Sequence, residues 1–98
     1  MLIVREVFTA KPGQASRLAK LFKQTMAPAM NARVLTDFVG NYNTVVMETT
    51  VKDLTEFEQQ MRDYKTKKFD LDPKLAEEMA KYTEMYVSGK REIYQVVD

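Results

Sequence analysis

The sequence predicts an α+β fold built on one four-stranded antiparallel sheet, and three observations predict it. Residues 2–10, 33–39, 44–51 and 90–97 are rich in β-branched and aromatic residues that alternate loosely, the period of a half-buried strand. Between them, at 15–27, 54–65 and 73–88, apolar residues recur at three- and four-residue spacing, the period of an amphipathic helix. The pair Arg-Glu, followed by aliphatic and aromatic residues, is written twice, in "VREVF" at 4–8 and "KREIYQVV" at 90–97. Complementary charges at the two ends of a chain are what two paired strands need.

The first strand meets Lys11-Pro12-Gly13, a breaker that ends it in a turn. Ala15, Leu18, Phe22, Met26 and Ala29, with Leu21 beside them, then form one apolar face, and Arg17, Lys20 and Lys23 form the other. Pro28 clashes with a preceding helical turn, so this helix bends or stops near Ala27. Two strands follow, joined at Gly40-Asn41-Tyr42-Asn43, residues that tolerate turn geometry, and they read as a hairpin. Asp53 with Glu56 three positions on is a helix start, and Leu54, Phe57, Met61 and Tyr64 carry that helix to about Lys65. Asp72-Pro73 starts a third helix, with Leu75, Met79, Tyr82 and Tyr86 at helical spacing up to Gly89, a glycine suited to close it. The last strand is 90–97.

The order β-α-β-β-α-(α)-β is the ferredoxin-like pattern, in which the first and last strands lie side by side and antiparallel. Placing Arg5 opposite Glu92 also places Glu6 opposite Arg91, one opposite-charge pair on each face. A slip of one residue would set Arg beside Arg. On this reading Leu2, Val4, Phe8, Val45, Met47 and Val51 face the helices. The other face then carries Ile3, Val7 and Val46 together with Arg5, Glu48, Thr44 and Thr50, too apolar for a face left in water. Either the 73–88 helix or a second copy of the chain is expected to cover it.

Composition removes several function classes. The 98 residues make a single domain, 1–98, of a size that leaves roughly a third of the unfolded chain's surface exposed after folding. With 15 Lys and Arg against 14 Asp and Glu, interspersed, no basic footprint for nucleic acid or an anionic membrane stands out. There is no cysteine and no histidine, which removes thiolate chemistry, the commonest metal ligand and the usual general base. Neither a metal nor a bound cofactor is expected. Charge interrupts Met1-Leu2-Ile3-Val4-Arg5 too soon for a signal peptide, and no apolar run reaches transmembrane length. A cytoplasmic location is the expectation.

The run "REVFTAKPGQASRLAKLF" at 5–22, a strand with Arg-Glu, then Lys-Pro-Gly, then an amphipathic helix, resembles the start of NIPSNAP-like proteins and of their relatives, the antibiotic-biosynthesis-monooxygenase-like members of the dimeric α+β barrel superfamily. "NTVVMETTVKDLTEFEQQM" at 43–61 resembles their third strand and second helix. The resemblance implies a homodimer whose two sheets press together into a barrel, with a ligand pocket in or beside it. It also implies small-molecule chemistry without a cofactor, of monooxygenase or isomerase type. Haem degradation fits least, since that branch needs a His and a Trp and the chain has neither.

Glu48 is the leading catalytic candidate, because a carboxylate beside Val46 in a partly apolar cavity is suited to acid or base work. The competing reading is an ion pair with Arg5. In the enzyme reading Arg5 holds an anion and Tyr94 or Tyr86 donates from a phenol. Tyr82, Tyr86 and Met79, with Met85, are candidates to wall an aromatic ligand, although such a stripe is also ordinary core material. Asn41 is a candidate at the pocket mouth, with Tyr42 and Asn43, where a turn equally favours these residues. Lys65, Lys67 and Lys68 read as a solvated loop. Two classes remain: a small cofactor-independent enzyme acting on a hydrophobic or aromatic metabolite, and a non-catalytic ligand-binding or assembly module.

Overall fold

A computed structural model describes residues 1–66 and 73–98, with side chains for 1–63 and 73–98. Strand β1 (Leu2–Ala10) leads to helix α1 (Ala15–Gln24) and a short helix α2 (Met26–Met30), followed by strands β2 (Arg33–Thr36) and β3 (Thr44–Val51). Helices α3 (Leu54–Thr66) and α4 (Pro73–Ala80) precede a single 3-10 turn, Tyr82–Glu84, and strand β4 (Tyr86–Gln95). The sheet is antiparallel in the order β2-β3-β1-β4. It is the expected α+β, ferredoxin-like arrangement. No helix among the described residues is long and apolar enough to cross a membrane.

The charges set the register between the terminal strands. Arg5 lies opposite Glu92 and Glu6 opposite Arg91, as the repeated Arg-Glu pair requires. Glu6 and Arg91 pair directly on the helix-covered face, where the Arg91 guanidinium also lies 5.3 Å from the centre of the Phe57 ring, within cation–π range. Exchanging the two residues (Arg91→Glu with Glu92→Arg) sets like charges opposite both Glu6 and Arg5. The exchange is expected to cost about 1–3 kcal/mol, since opposed like charges destabilise and a charged hydrogen bond is lost. Thermal melting checks it: an unchanged midpoint would show that the pairs do not hold the register.

The main core cluster of the described residues lies on one face. Leu18, Leu21 and Phe22 of α1 pack with Val45 and Met47 of β3, Ala10 of β1, Met26 and Met30 of α2, and Met85. Phe8, Phe22, Tyr82 and Tyr86 form a chain of tilted and edge-on rings with neighbouring centres 5.0–5.9 Å apart, the geometry aromatic pairs prefer. Leu75 and Met79 of α4 pack against the same cluster. The helix predicted over 73–88 therefore joins α1, and among the described residues no helix covers the other face of the sheet. With extents of 39 × 34 × 17 Å, the molecule is a plate of one sheet and one helix layer.

Four element boundaries differ from expectation, each for a physical reason. The first helix breaks at Thr25 rather than Ala27: the Thr25 hydroxyl donates to Leu21 O at 2.6 Å, and Pro28 falls within the first turn of α2, where its missing N–H does no harm. The β2–β3 connection is longer than a four-residue turn, spanning 37–43, with Tyr42 and Asn43 at positive φ and Thr44 N–H donating to Asp37 Oδ1 at 2.9 Å. The third helix stops at Ala80 rather than continuing to Gly89, because Tyr82–Glu84 tightens into a 3-10 turn. Tyr86 thus opens β4, and Gly89 lies within the strand opposite Phe8, whose ring would sit 3.1 Å from an added Cβ. That glycine makes room for an aromatic ring and does not end a helix. The start at Asp53 holds, since Asp53 Oδ1 accepts from Glu56 N–H at 2.9 Å. Pro73 is the first residue of α4, while its proposed cap Asp72 and the side chains of Lys65, Lys67 and Lys68 lie outside the described residues.

Candidate functional site

The open face presents residue rows across the sheet, fixed by the register, and three of them frame the site. One row is wholly charged: Arg33 on β2, Glu48 on β3, Arg5 on β1 and Glu92 on β4, each paired across the ladder with the next. Leu35, Val46, Val7 and Lys90 follow on one side of it. Thr50, Ile3 and Tyr94 lie on the other. Val46 is buried within the single chain at 5% exposure, while Ile3 and Val7 are half-buried, so the aliphatic residues of this face are partly screened by their neighbours in the rows.

Glu48 is the centre of the row. Its Oε1 accepts from Arg33 through both Nε, at 3.1 Å, and Nη2, at 2.5 Å. Its Oε2 lies 3.6 Å from Arg5 Nε, too far for a hydrogen bond, and that buried nitrogen has no hydrogen-bond partner among the described residues. The side chain of Glu48 is only 16% exposed, against 35% for Arg5 and 70% for Arg33. A recess of about 530 Å³ opens here, lined by Ile3, Asn31, Ala32, Arg33, Glu48, Thr49 and Thr50.

Tyr94 shares this face and donates from its hydroxyl to Glu92 Oε2 at 2.8 Å, where Lys90 also approaches to 3.7 Å. The hydrogen bond to Glu92 raises the Tyr94 pKa above its ordinary 10.0, with burial and the Glu92 charge adding to the effect and Arg5 opposing it. A raised phenol pKa favours the neutral form in the fold, so its stabilisation is present below pH 10 and is lost as pH rises through the shifted value. Glu92→Gln is expected to bring the Tyr94 titration back down. An NMR titration in which the substitution leaves it unmoved would mean that the hydrogen bond does not form in solution.

The structure thus brings Glu48 and Arg5 together and sets Tyr94 on the same face, linked through Glu92. Tyr82, Tyr86 and Met79 lie on the opposite side of the sheet, packed against the core. Asn41 is exposed in the 37–43 connection. Arg33, the tightest partner of Glu48, was missed by the sequence reading. The signal was in the hairpin: a four-residue turn at 40–43 puts Leu35 opposite Glu48, and only the longer connection brings Arg33 there. Among the described residues no three His, Cys, Asp or Glu side chains are grouped as a metal site.

Solved structures share this fold over nearly the whole chain. A NIPSNAP domain protein of Burkholderia xenovorans superposes with a TM-score of 0.75 at 15% identity, over 99% of this chain and 95% of that one. A NIPSNAP family protein of Agrobacterium tumefaciens C58 gives 0.77 at 12% identity, over 99% and 86%. An antibiotic biosynthesis monooxygenase-like protein of Deinococcus radiodurans gives 0.67 at 14% identity, over 100% and 94%. The protein is therefore a ferredoxin-like α+β domain. Its architecture is that of the NIPSNAP and antibiotic biosynthesis monooxygenase-like proteins, at identities that establish the fold alone. No protein-family model and no curated protein matches the sequence.

Proposed function

We propose that the chain is a cytoplasmic homodimer that binds a small hydrophobic or aromatic molecule bearing a carboxylate or other anionic group, at the recess beside Glu48. The observation that carries this reading is the pairing of a volume within the usual 300–1,000 Å³ range of ligand sites with two guanidinium groups gathered on one carboxylate. Arginine reads planar anions through its fork of donors. Glu48 holds Arg33 by two hydrogen bonds and faces the buried Nε of Arg5, while Ile3 supplies an apolar wall. A second copy over the open face would enclose the recess and cover Ile3 and Val7. Glu48 as an acid or base in a monooxygenase-like or isomerase-like reaction is the second reading, favoured by its position at the recess.

A thermal-shift panel of aromatic and aliphatic carboxylates, with matched neutral amides, tests the binding reading. Carboxylates are expected to raise the melting temperature and amides to leave it, with the shift abolished in Arg33→Ala and in Arg5→Gln. Equal behaviour of acids and amides, or no shift from any compound, would overturn it. Light scattering on the free protein tests the dimer separately.

A further inference from the structure

The balanced charge of the whole chain hides one stretch of a single sign. Between Glu6 and Asp37 there is no Asp or Glu, while Lys11, Arg17, Lys20, Lys23 and Arg33 all fall within it. The arginines of the sheet are answered by carboxylates, Arg5 and Arg33 by Glu48 and Arg91 by Glu6. Lys11 and Arg17 form no ion pair among the described residues. Two cations of one short segment are thus left without a counter-charge.

The fold brings them to the end of the sheet where β1 turns into α1. Lys11 N–H donates to Met85 O at 2.9 Å, Gln14 N–H donates to Lys11 O at 2.9 Å, and Met85 N–H donates to Tyr82 O at 2.9 Å. These bonds fasten the turn before α1 to the 3-10 turn before β4. A recess of about 320 Å³ opens between them, lined by Lys11, Gln14 and Arg17 from one segment and by Lys81 and Glu84 from the other. Lys81 has only a loose partner, Glu77 at 3.9 Å, and both side chains are mostly exposed, so that pair holds it weakly. Gln14 Oε1 is buried with no hydrogen-bond partner among the described residues.

We propose that this recess binds the phosphate group of a small phosphate monoester. Its lining holds three cations and one carboxylate, three positive charges less one negative. A phosphate monoester carries about −1.5 to −2 near neutral pH and presents three acceptor oxygens, which matches both the charge and the number of cations. A carboxylate ligand, with a single charge and two oxygens, would leave one cation unanswered. Arginine and lysine are both suited to phosphate, the first through its fork of donors and the second as a point charge. The first turn of α1 has no acidic side chain and no side-chain cap, so no group of the chain's own competes with an anion there. Gln14 Oε1 supplies an acceptor for a hydroxyl on the organic part of the ligand. This site is separate from the recess beside Glu48: Ile3 there and Lys11 here stand at opposite ends of β1, about 25 Å apart at the rise of a strand. It needs no second copy and stands whether or not the function proposed above holds.

Glycerol 3-phosphate, which carries both the phosphate and hydroxyl donors, is the probe, with glycerol and sodium chloride at equal ionic strength as controls. In an NMR titration it is expected to shift the backbone amides of residues 11–17 and 81–85 to saturation. Lys11→Gln, Arg17→Gln and Lys81→Gln are each expected to weaken binding about two- to fivefold, the worth of an exposed ion pair, and Glu84→Gln should strengthen it by a similar factor. Lys20→Gln and Lys23→Gln, exposed on α1 outside the recess, should leave it unchanged. Co-sedimentation with phosphatidic acid vesicles, against phosphatidylcholine vesicles, separates the sources of the phosphate. Retention that is lost in the same three variants assigns it to a lipid headgroup, and a response to the soluble ester without retention assigns it to a free metabolite. No saturable shift and no retention would overturn the site. So would equal losses from Lys20→Gln or Lys23→Gln, which mark diffuse attraction to the helix, or a weakening by Glu84→Gln.

Discussion

Phe22→Ala is expected to destabilise the protein by about 3–5 kcal/mol, the range for removing a buried aromatic side chain. Phe22 is fully buried, and its ring lies 5.1 Å from Phe8 and 5.8 Å from Tyr82. It joins β1, α1 and the 3-10 turn before β4, so its removal strips contacts from three elements at once. Native proteins have about 5–15 kcal/mol in total, so the loss removes a large fraction of the stability at the lower end of that range. Phe22→Leu keeps most of the apolar area and should lose much less. Urea denaturation measures both, and a loss below about 1 kcal/mol for Phe22→Ala would mean that the ring chain is not the centre of the core.

Glu48→Gln carries the second-largest expected effect. The amide keeps the shape of the side chain but removes the charge that gathers Arg5 and Arg33. Hydrogen bonds to charged groups contribute about 1.5–3 kcal/mol, and the exposure of Arg33 places the loss in an isolated chain at the lower end. If a second copy covers the open face, the same change removes the carboxylate shared by Arg5 and Arg33, a deficit that rises toward about 3–5 kcal/mol as the site is sealed from water. Melting temperature should therefore fall more at protein concentrations that favour the dimer than under dilution. Once a ligand is known, the variant also separates binding from catalysis: loss of turnover with dimer and ligand affinity intact would move Glu48 from positioning arginines to proton transfer, where losses of about a hundredfold are usual. A variant unchanged in stability, assembly and binding would remove Glu48 from the site.

Much of this fold was legible in the sequence because its signals were redundant. The strand and helix periods, the breaker Lys11-Pro12-Gly13 and the two Arg-Glu pairs all favoured one topology, and the pairs specified the register of β1 with β4 residue by residue. Boundaries were lost where one spacing served two structures. Tyr82 and Tyr86 are four apart, as on a helix, yet their rings meet, with centres 5.9 Å apart, across the change from a 3-10 turn to a strand. Gly89 looked like a helix stop, but its smallness answers to the ring of Phe8 in the next strand, a long-range requirement with no local trace. At the site, Glu48 and Arg5 could be placed because they sit on long, well-patterned strands. Arg33 could not, since its register hangs on the length of the 37–43 connection, which turn-forming residues alone do not determine.

Strand β4 has a consequence of another kind. Among the described residues it is a ten-residue edge strand whose sheet neighbour is β1, so its other side makes no ladder hydrogen bonds there. A flat apolar strand in that position would invite open-ended growth, chain after chain, toward fibrils. Lys90, Arg91 and Glu92 stand at the middle of this edge, and every strand added in register would have to stack their charges upon one another. The triplet that aligns the two ends of the chain within the domain thus also acts as a gatekeeper, keeping an exposed edge from becoming a seed for aggregation.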